Sequence, residues 1–147
     1  MAVTTTVFDN FKLKAINLAN TIDFDVDTIK IMLTTSTYTP AQATHDFKDD
    51  VTNEVANGGG YTTGGVTLSG GTVALDAGGF AYYDANDVTW TAATFTCRRG
   101  VLYKDTGTAS TSPLIGWIDF GADQVNSGGD FKIVWAAPAS GAVVKLT

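Results

Sequence analysis

Apolar and polar positions follow two different spacings along the chain. Phe8, Phe11, Ala15, Leu18 and Ala19 recur at helical spacing, with Lys12, Lys14 and Asn17 between them, and predict a short helix near the amino end. Asp9 or Thr6 would cap its start, and Asn20-Thr21 would close it. Asp23-Phe24-Asp25-Val26-Asp27 then alternates strictly between acid and apolar. It leads into Thr28-Ile29-Lys30-Ile31-Met32-Leu33-Thr34, which reads as a strand buried on at least one face. Thr39-Pro40-Ala41-Gln42 reads as a second helix start, with Thr39 as N-cap, Pro40 as first helical residue and Gln42 as capping-box partner. That helix can run to about Asp50. Val51 to Val55 predicts a brief strand, and Asn57-Gly58-Gly59-Gly60 a flexible loop.

From Tyr61 onward the text is short β segments. Gly65-Val66-Thr67-Leu68, Thr72-Val73-Ala74-Leu75 and Phe80-Ala81-Tyr82-Tyr83 are separated by glycine pairs, and Asp87-Val88-Thr89-Trp90 follows. Ala93 to Lys104 predicts a longer strand or a bent pair, with Gly100 as the bend or bulge. Pro113 to Phe120 and Phe131 to Trp135 read as strands around a turn at Asn126 to Gly129, and Ala142 to Leu146 closes the chain. Turn signals about every 8–12 residues between alternating runs predict one domain over residues 1–147. It is mainly β, an antiparallel β-sandwich of jelly-roll-like form, with one or two short helices near the amino end.

Composition changes this picture little. The 147 residues are 44% hydrophobic, enough for one core, and only 16% charged. Fifteen acidic residues against nine Lys and Arg give a net charge of −6, which argues against nucleic acid and against an anionic membrane surface as partners. Glu54 is the only glutamate; an acidic chain built on Asp favours turns over helices. No apolar run approaches the ~20 residues needed to span a bilayer. Met1-Ala2-Val3-Thr4-Thr5-Thr6 lacks the basic start and apolar stretch of a secretory leader. Cys97, the single cysteine, forms no internal disulfide and implies no oxidising compartment.

Candidate chemistry is sparse. His45 is the only histidine, so a nucleophile–histidine system would have to use it, yet no serine sits in a glycine elbow. Asp23, Asp25 and Asp27 resemble the opening of a calcium loop, but Thr28 stands where glycine is required and Thr34 where a bidentate carboxylate is required. They read better as the wet face of a strand. Asp46, Asp49 and Asp50 form a second acidic group, either a solvated face or a docking patch for a basic partner. One Cys and one His cannot complete a zinc site in one chain, and the glycine-rich loops lack the Lys-Ser/Thr of a phosphate cradle, so no cofactor is expected. Arg98-Arg99, on a strand, would point to opposite faces, and Cys97 reads as an inert core thiol. Trp90, Trp117 and Trp135 are expected in the core rather than on a sugar-binding face. Tyr82-Tyr83 beside Asp84 is the better exposed aromatic contact.

The order of phrases carries a resemblance. Asp27-Thr28-Ile29-Lys30-Ile31-Met32-Leu33-Thr34-Thr35-Ser36-Thr37-Tyr38-Thr39-Pro40, followed by His45-Asp46 and by Glu54-Val55 through Gly60-Tyr61-Thr62-Thr63-Gly64-Gly65, is similar to runs in small tailed-bacteriophage virion proteins. Asp87-Val88-Thr89-Trp90, Val101 through Thr108 and Ser112 through Gly121 continue the pattern, which covers roughly 8 to 135. The resemblance implies a structural component of the particle, a head decoration or cement protein. It would bind the major capsid protein on the capsid exterior after assembly in the host cytoplasm. It implies a homo-oligomer, dimer or trimer, and no enzymatic activity. The alternative is a tail or fibre module that binds a host glycan or surface protein; a cell-wall hydrolase has only His45 and scattered aspartates for a motive. The contact residues expected are His45, Asp46, Asp49, Asp50, Tyr61, Tyr82 and Tyr83, all on the assumption that they are exposed.

Overall fold

A computed structural model describes residues 2–17 and 21–147. In chain order the elements are β1 (Ala2–Val3), β2 (Thr6–Val7), α1 (Asp9–Asn17), β3 (Ile29–Thr34), β4 (Val66–Thr67), β5 (Thr72–Leu75), β6 (Ala81–Asp84), β7 (Val88–Lys104), β8 (Leu114–Trp135) and β9 (Val144–Lys145). The fold is mainly β, as expected, with two sheets and one short helix near the amino end in a sandwich-like arrangement. The larger sheet has the order β1-β8-β7-β3-β4, with β2 also on β8; among the described residues only the β1–β8 pair is parallel. The smaller sheet is β5-β6-β9, antiparallel throughout. Leu18, Ala19 and Asn20 of the expected helix lie outside the described residues.

The β7–β8 hairpin is the spine of the larger sheet. Along its first half β7 alternates, with Val88, Trp90, Phe95 and Cys97 buried and Thr89, Thr94 and Thr96 exposed. From Gly100 to Tyr103 every residue is buried. The change from alternation to a continuous run marks where the sheet is covered on both faces. Trp90 and Ala93, three residues apart, are both buried, which a regular strand forbids. A bulge at Thr91 and Ala92 resets the phase; Ala92 takes φ +48°.

β8 runs through the turn expected at Asn126 to Gly129. The irregularity there is a bulge at Gly128, φ +81°, and the Asn126 amide donates to Ala93 O (2.7 Å) and Gly129 O (2.6 Å) across it. Gly100 is not the bend. It pairs regularly with Leu33 and Ile118, and a Cβ there would come within 2.9 Å of Ile31 Cδ1, so its role is close approach. The real irregularity follows Cys97. Between Cys97↔Gln124 and Arg99↔Asp119, β8 loops out over 120–123 while β7 spends only Arg98. This brings both arginines to one carboxylate, Arg98 Nε at 2.6 Å and Arg99 Nε at 3.2 Å from Asp119, instead of to opposite faces.

Three further expectations are corrected. The helix predicted from Thr39 to Asp50 is a single turn at 42–44 and a 3-10 turn at Lys48–Asp50. Side chains take the backbone donors that a helix would need: His45 Nδ1 accepts from Ala41 N–H, and Asp50 Oδ2 accepts from Asp46 N–H (2.7 Å) and Phe47 N–H (3.1 Å). Leu114 N–H meanwhile donates to Asp46 O and Lys48 N–H to Ser112 O, drawing this segment alongside the hairpin end. The acid–apolar alternation at 23–27 is a turn rather than a strand face, with Asp25 N–H on Asp23 Oδ1 and Asp23 N–H on Asp27 Oδ2. Val51 to Val55 makes only the isolated bridge Thr34↔Glu54. The glycine loop at 58–60 is packed down: Thr94 N–H donates to Gly59 O (2.8 Å), and a Cβ on Gly59 would sit 2.3 Å from Thr94 O.

One hydrophobic cluster joins the parts. Tyr61, Trp90, Phe95 and Phe131 cluster at one end of the spine, with Tyr61 nearly parallel to Trp90 and the other pairs edge-on or tilted; Phe8 and Trp117, tilted, and Tyr38 stacked on His45 lie at the other. Under the small sheet Phe24 stacks on Tyr83 at 4.7 Å and meets Phe11 of α1 edge-on. Trp90 and Trp135 are core residues, as expected; Trp117 is half-buried. Cys97 is fully buried, and burial, with a smaller contribution from Asp123, pushes its thiol up to about 12.

Candidate functional site

The residues expected to meet a partner divide sharply. Tyr61 and Tyr83 are buried, so both are corrections: neither offers a surface contact. The Tyr61 hydroxyl donates to Glu54 Oε1 (2.7 Å) and accepts from Leu33 N–H (3.1 Å), tying the glycine-rich loop to β3. Tyr83 is covered by Phe24, and Tyr82 alone of the pair is partly exposed. The tyrosine pair that motivated glycan binding is therefore split by strand alternation.

His45 is half-buried. Tyr38 Oη donates to its Nδ1 at 2.9 Å, and its ring lies between Tyr38 and Phe8. As Nδ1 also accepts from Ala41 N–H, the bonding pattern places the ring proton on Nε2. These contacts hold the 38–45 loop in place. Asp46 is paired with Lys14 of α1, and Asp50 caps the turn beneath it; Asp49 faces solvent. Hydrogen bonds from the Asp46 and Phe47 amides hold the Asp50 carboxyl below its usual range, with His45 and Lys14 adding smaller effects. Asp27 pairs with Lys104 at 2.8 Å. Among the described residues no three of His, Cys, Asp and Glu converge as metal ligands, and no helix is long and apolar enough to cross a membrane.

Apolar side chains are left exposed around α1. α1 turns Phe11 inward but leaves Leu13 58% and Ile16 84% exposed. On the inner side of the helix, away from Leu13 and Ile16, a cleft of about 260 Å³ is walled by Phe11, Ala15, Ile22, Phe24, Leu114 and Leu146. A smaller one, about 70 Å³, continues from Phe11, Phe24 and Leu146 to Tyr83, Val73 and Val144 under the small sheet. Val73 and Leu146, which line it, are themselves partly exposed. Nearby charges are paired, Lys14 with Asp46 and Lys145 with Asp76 at 2.6 Å, and on the outer face of α1 Lys12 with Asp9 at 3.2 Å. Leu13 and Ile16 were legible as an i, i+3 apolar pair out of phase with Phe8 and Phe11. Comparison with protein-family models, curated proteins and solved structures finds no match to this chain.

Ionisation of the buried network fixes a pH window. Burial, then the Asp50 charge, pushes Tyr38 up to about 12 against the opposing pull of Arg99, and burial also raises Tyr61, Tyr83 and Tyr103. Unfolded phenols ionise near 10, so above that pH the unfolded chain binds fewer protons and stability falls as pH rises toward 12. Carboxylates act in the opposite sense. Gly107 N–H and Lys30 lower Asp105, and Lys132 and Trp135 N–H lower Asp87. At Asp119 burial opposes ionisation, but the bond from Arg98, Gly121 N–H and the Arg99 charge outweigh it. That stability is present above about pH 4 and lost as pH falls through the lowered values. The urea midpoint should therefore be flat across neutrality and drop on both sides, and Tyr38→Phe should shallow the alkaline drop. An alkaline slope that Tyr38→Phe leaves unchanged would contradict this assignment.

Proposed function

We infer that this chain is a structural protein of a tailed-bacteriophage virion, a head decoration protein that seats on the assembled shell through contacts with the major capsid protein. The observation that carries the reading is the outer face of α1, where Leu13 and Ile16 stand exposed on the side of the helix away from Phe11 and the core. The phrase resemblance and the rigid, mainly β scaffold support it. Covering such side chains yields roughly 25 cal/mol per Å² of apolar area, and repetition over a shell multiplies a modest single contact. Binding to the assembled shell alone stabilises it by mass action.

Purified chain mixed with undecorated shells should bind saturably at micromolar concentration and raise the shell melting temperature. Ile16→Asp should weaken that binding about tenfold or more, equivalent to about 1.4 kcal/mol. Because the side chain is 84% exposed, the same change should leave the melting of the isolated chain nearly unmoved. Failure of the unaltered chain to bind any such shell would overturn the reading.

A further inference from the structure

The small sheet ends on an edge that no described residue covers. β5 pairs with β6 on one side only. The hairpin closes with Asp76 N–H on Phe80 O (3.0 Å), and antiparallel bonding alternates from that point. Ala74 with Tyr82 and Thr72 with Asp84 are then the bonded pairs. The far side of β6 shows the same phase: Leu146 N–H donates to Ala81 O (2.9 Å) and Val143 N–H to Tyr83 O (3.1 Å), so Ala81 and Tyr83 bond away from β5. Val73 and Leu75 therefore direct their N–H and C=O groups outward, where they have no partner among the described residues.

Proteins protect such edges with charge, proline or a bulge. Gly70-Gly71-Thr72-Val73-Ala74-Leu75 has no charged residue and no proline, and its pairing with β6 is regular. Val73 and Leu75 are 46% and 68% exposed. Both project to the face that carries Tyr83, above the smaller cleft.

We propose that this edge pairs antiparallel with the same edge of a second copy of the chain, about a two-fold axis at Ala74. In that register Val73 lies opposite Leu75 of the second copy, and the outward groups of the two chains meet in four backbone hydrogen bonds. Directly opposed side chains share a face, so two valines and two leucines close over one another beneath a continuous six-stranded sheet. Ala74 meets its own copy at a non-bonded position, where the side chains come closest and two alanines fit without a clash. The register sets no like charges opposite each other. Thr72 faces Asp76 of the second copy, and Asp76 is already paired with Lys145. The uncharged Val-Ala-Leu segment is thus its own complement, which favours a copy of itself over an unlike strand.

Sedimentation of the full chain at micromolar concentration should give a species of twice the chain mass. Val73→Lys and Leu75→Lys should each return it to one chain mass, with unfolding midpoints close to the parent's. Ala74→Cys should form an intermolecular disulfide under mild oxidation, because opposed non-bonded positions bring Cα atoms to about 4.5 Å, within disulfide range. Thr63→Cys, exposed and remote in sequence, is the control, and buried Cys97 does not compete. A parent chain that sediments only as a monomer, or an Ala74→Cys chain that cross-links no faster than Thr63→Cys, would overturn the proposal. Neither result depends on shell binding, so the two readings fail separately.

Discussion

Replacing Gly65 with alanine should destabilise the chain by about 2–6 kcal/mol, the sum of backbone strain and steric overpacking. Gly65 sits at φ +73°, and a Cβ there would fall 1.9 Å from Ile31 O and 2.6 Å from Met32 Cα. Both atoms are backbone of β3, which is held between β7 and β4 and cannot withdraw without breaking a ladder. Gly107 separates the two costs. It also has positive φ, +84°, but a Cβ there would meet nothing within 4 Å. Gly107→Ala should therefore lose only the conformational part, about 1–2 kcal/mol. Urea unfolding of both variants, at matched m, measures the difference. Equal losses would show that β3 yields where the packing says it cannot.

The second large effect is expected at Tyr61. Tyr61→Phe keeps the ring against Trp90 and Phe95 but removes a hydroxyl with two partners. Leu33 N–H is left buried without an acceptor on β3, and Glu54 keeps the Gly64 amide. An unsatisfied buried donor costs about 1–3 kcal/mol, with the upper part of that range expected because a carboxylate partner is also lost. Hydrogen exchange supplies a sharper readout than the melting point alone. The Leu33 amide should lose protection by more than the amides of β8. A variant that melts like the parent and protects Leu33 equally would remove the bond from the argument.

What could be read from the sequence follows from which forces are local. β5 was legible at its residue limits because Thr72 to Leu75 is flanked by Gly70-Gly71 and by the Gly78-Gly79 turn. The strand at Ile29 to Thr34 was equally legible, since a continuous apolar run bounded by turns has few other uses. The continuity of β7 and β8 was hidden. Their bulges at Ala92 and Gly128 look like turn signals, and only the partner strand shows that pairing resumes beyond them. The helix expected at 39–50 failed because His45 and Asp50 compete for its amides, a contest that capping rules do not weigh. Tyr61 and Tyr83 misled for another reason. A tyrosine beside glycines or aspartates looks exposed, but the glycines here permit the backbone to pack closely while the ring turns inward. The apolar face was half visible: Leu13 and Ile16 stand plainly in the text, but their exposure depends on which side of α1 meets the sheet.

The placement of the first strands has a consequence for how the chain is made. Thr6 and Val7 pair with Trp117 and Gly116, and Ala2 and Val3 with Val134 and Trp135. During translation the opening residues leave the ribosome long before their partners exist. The hairpin between β7 and β8 closes over a short connection and can assemble as soon as both strands emerge. The amino-terminal segment must therefore wait, unpaired, until β8 has emerged, which makes it a latch of nascent-chain folding rather than its nucleus.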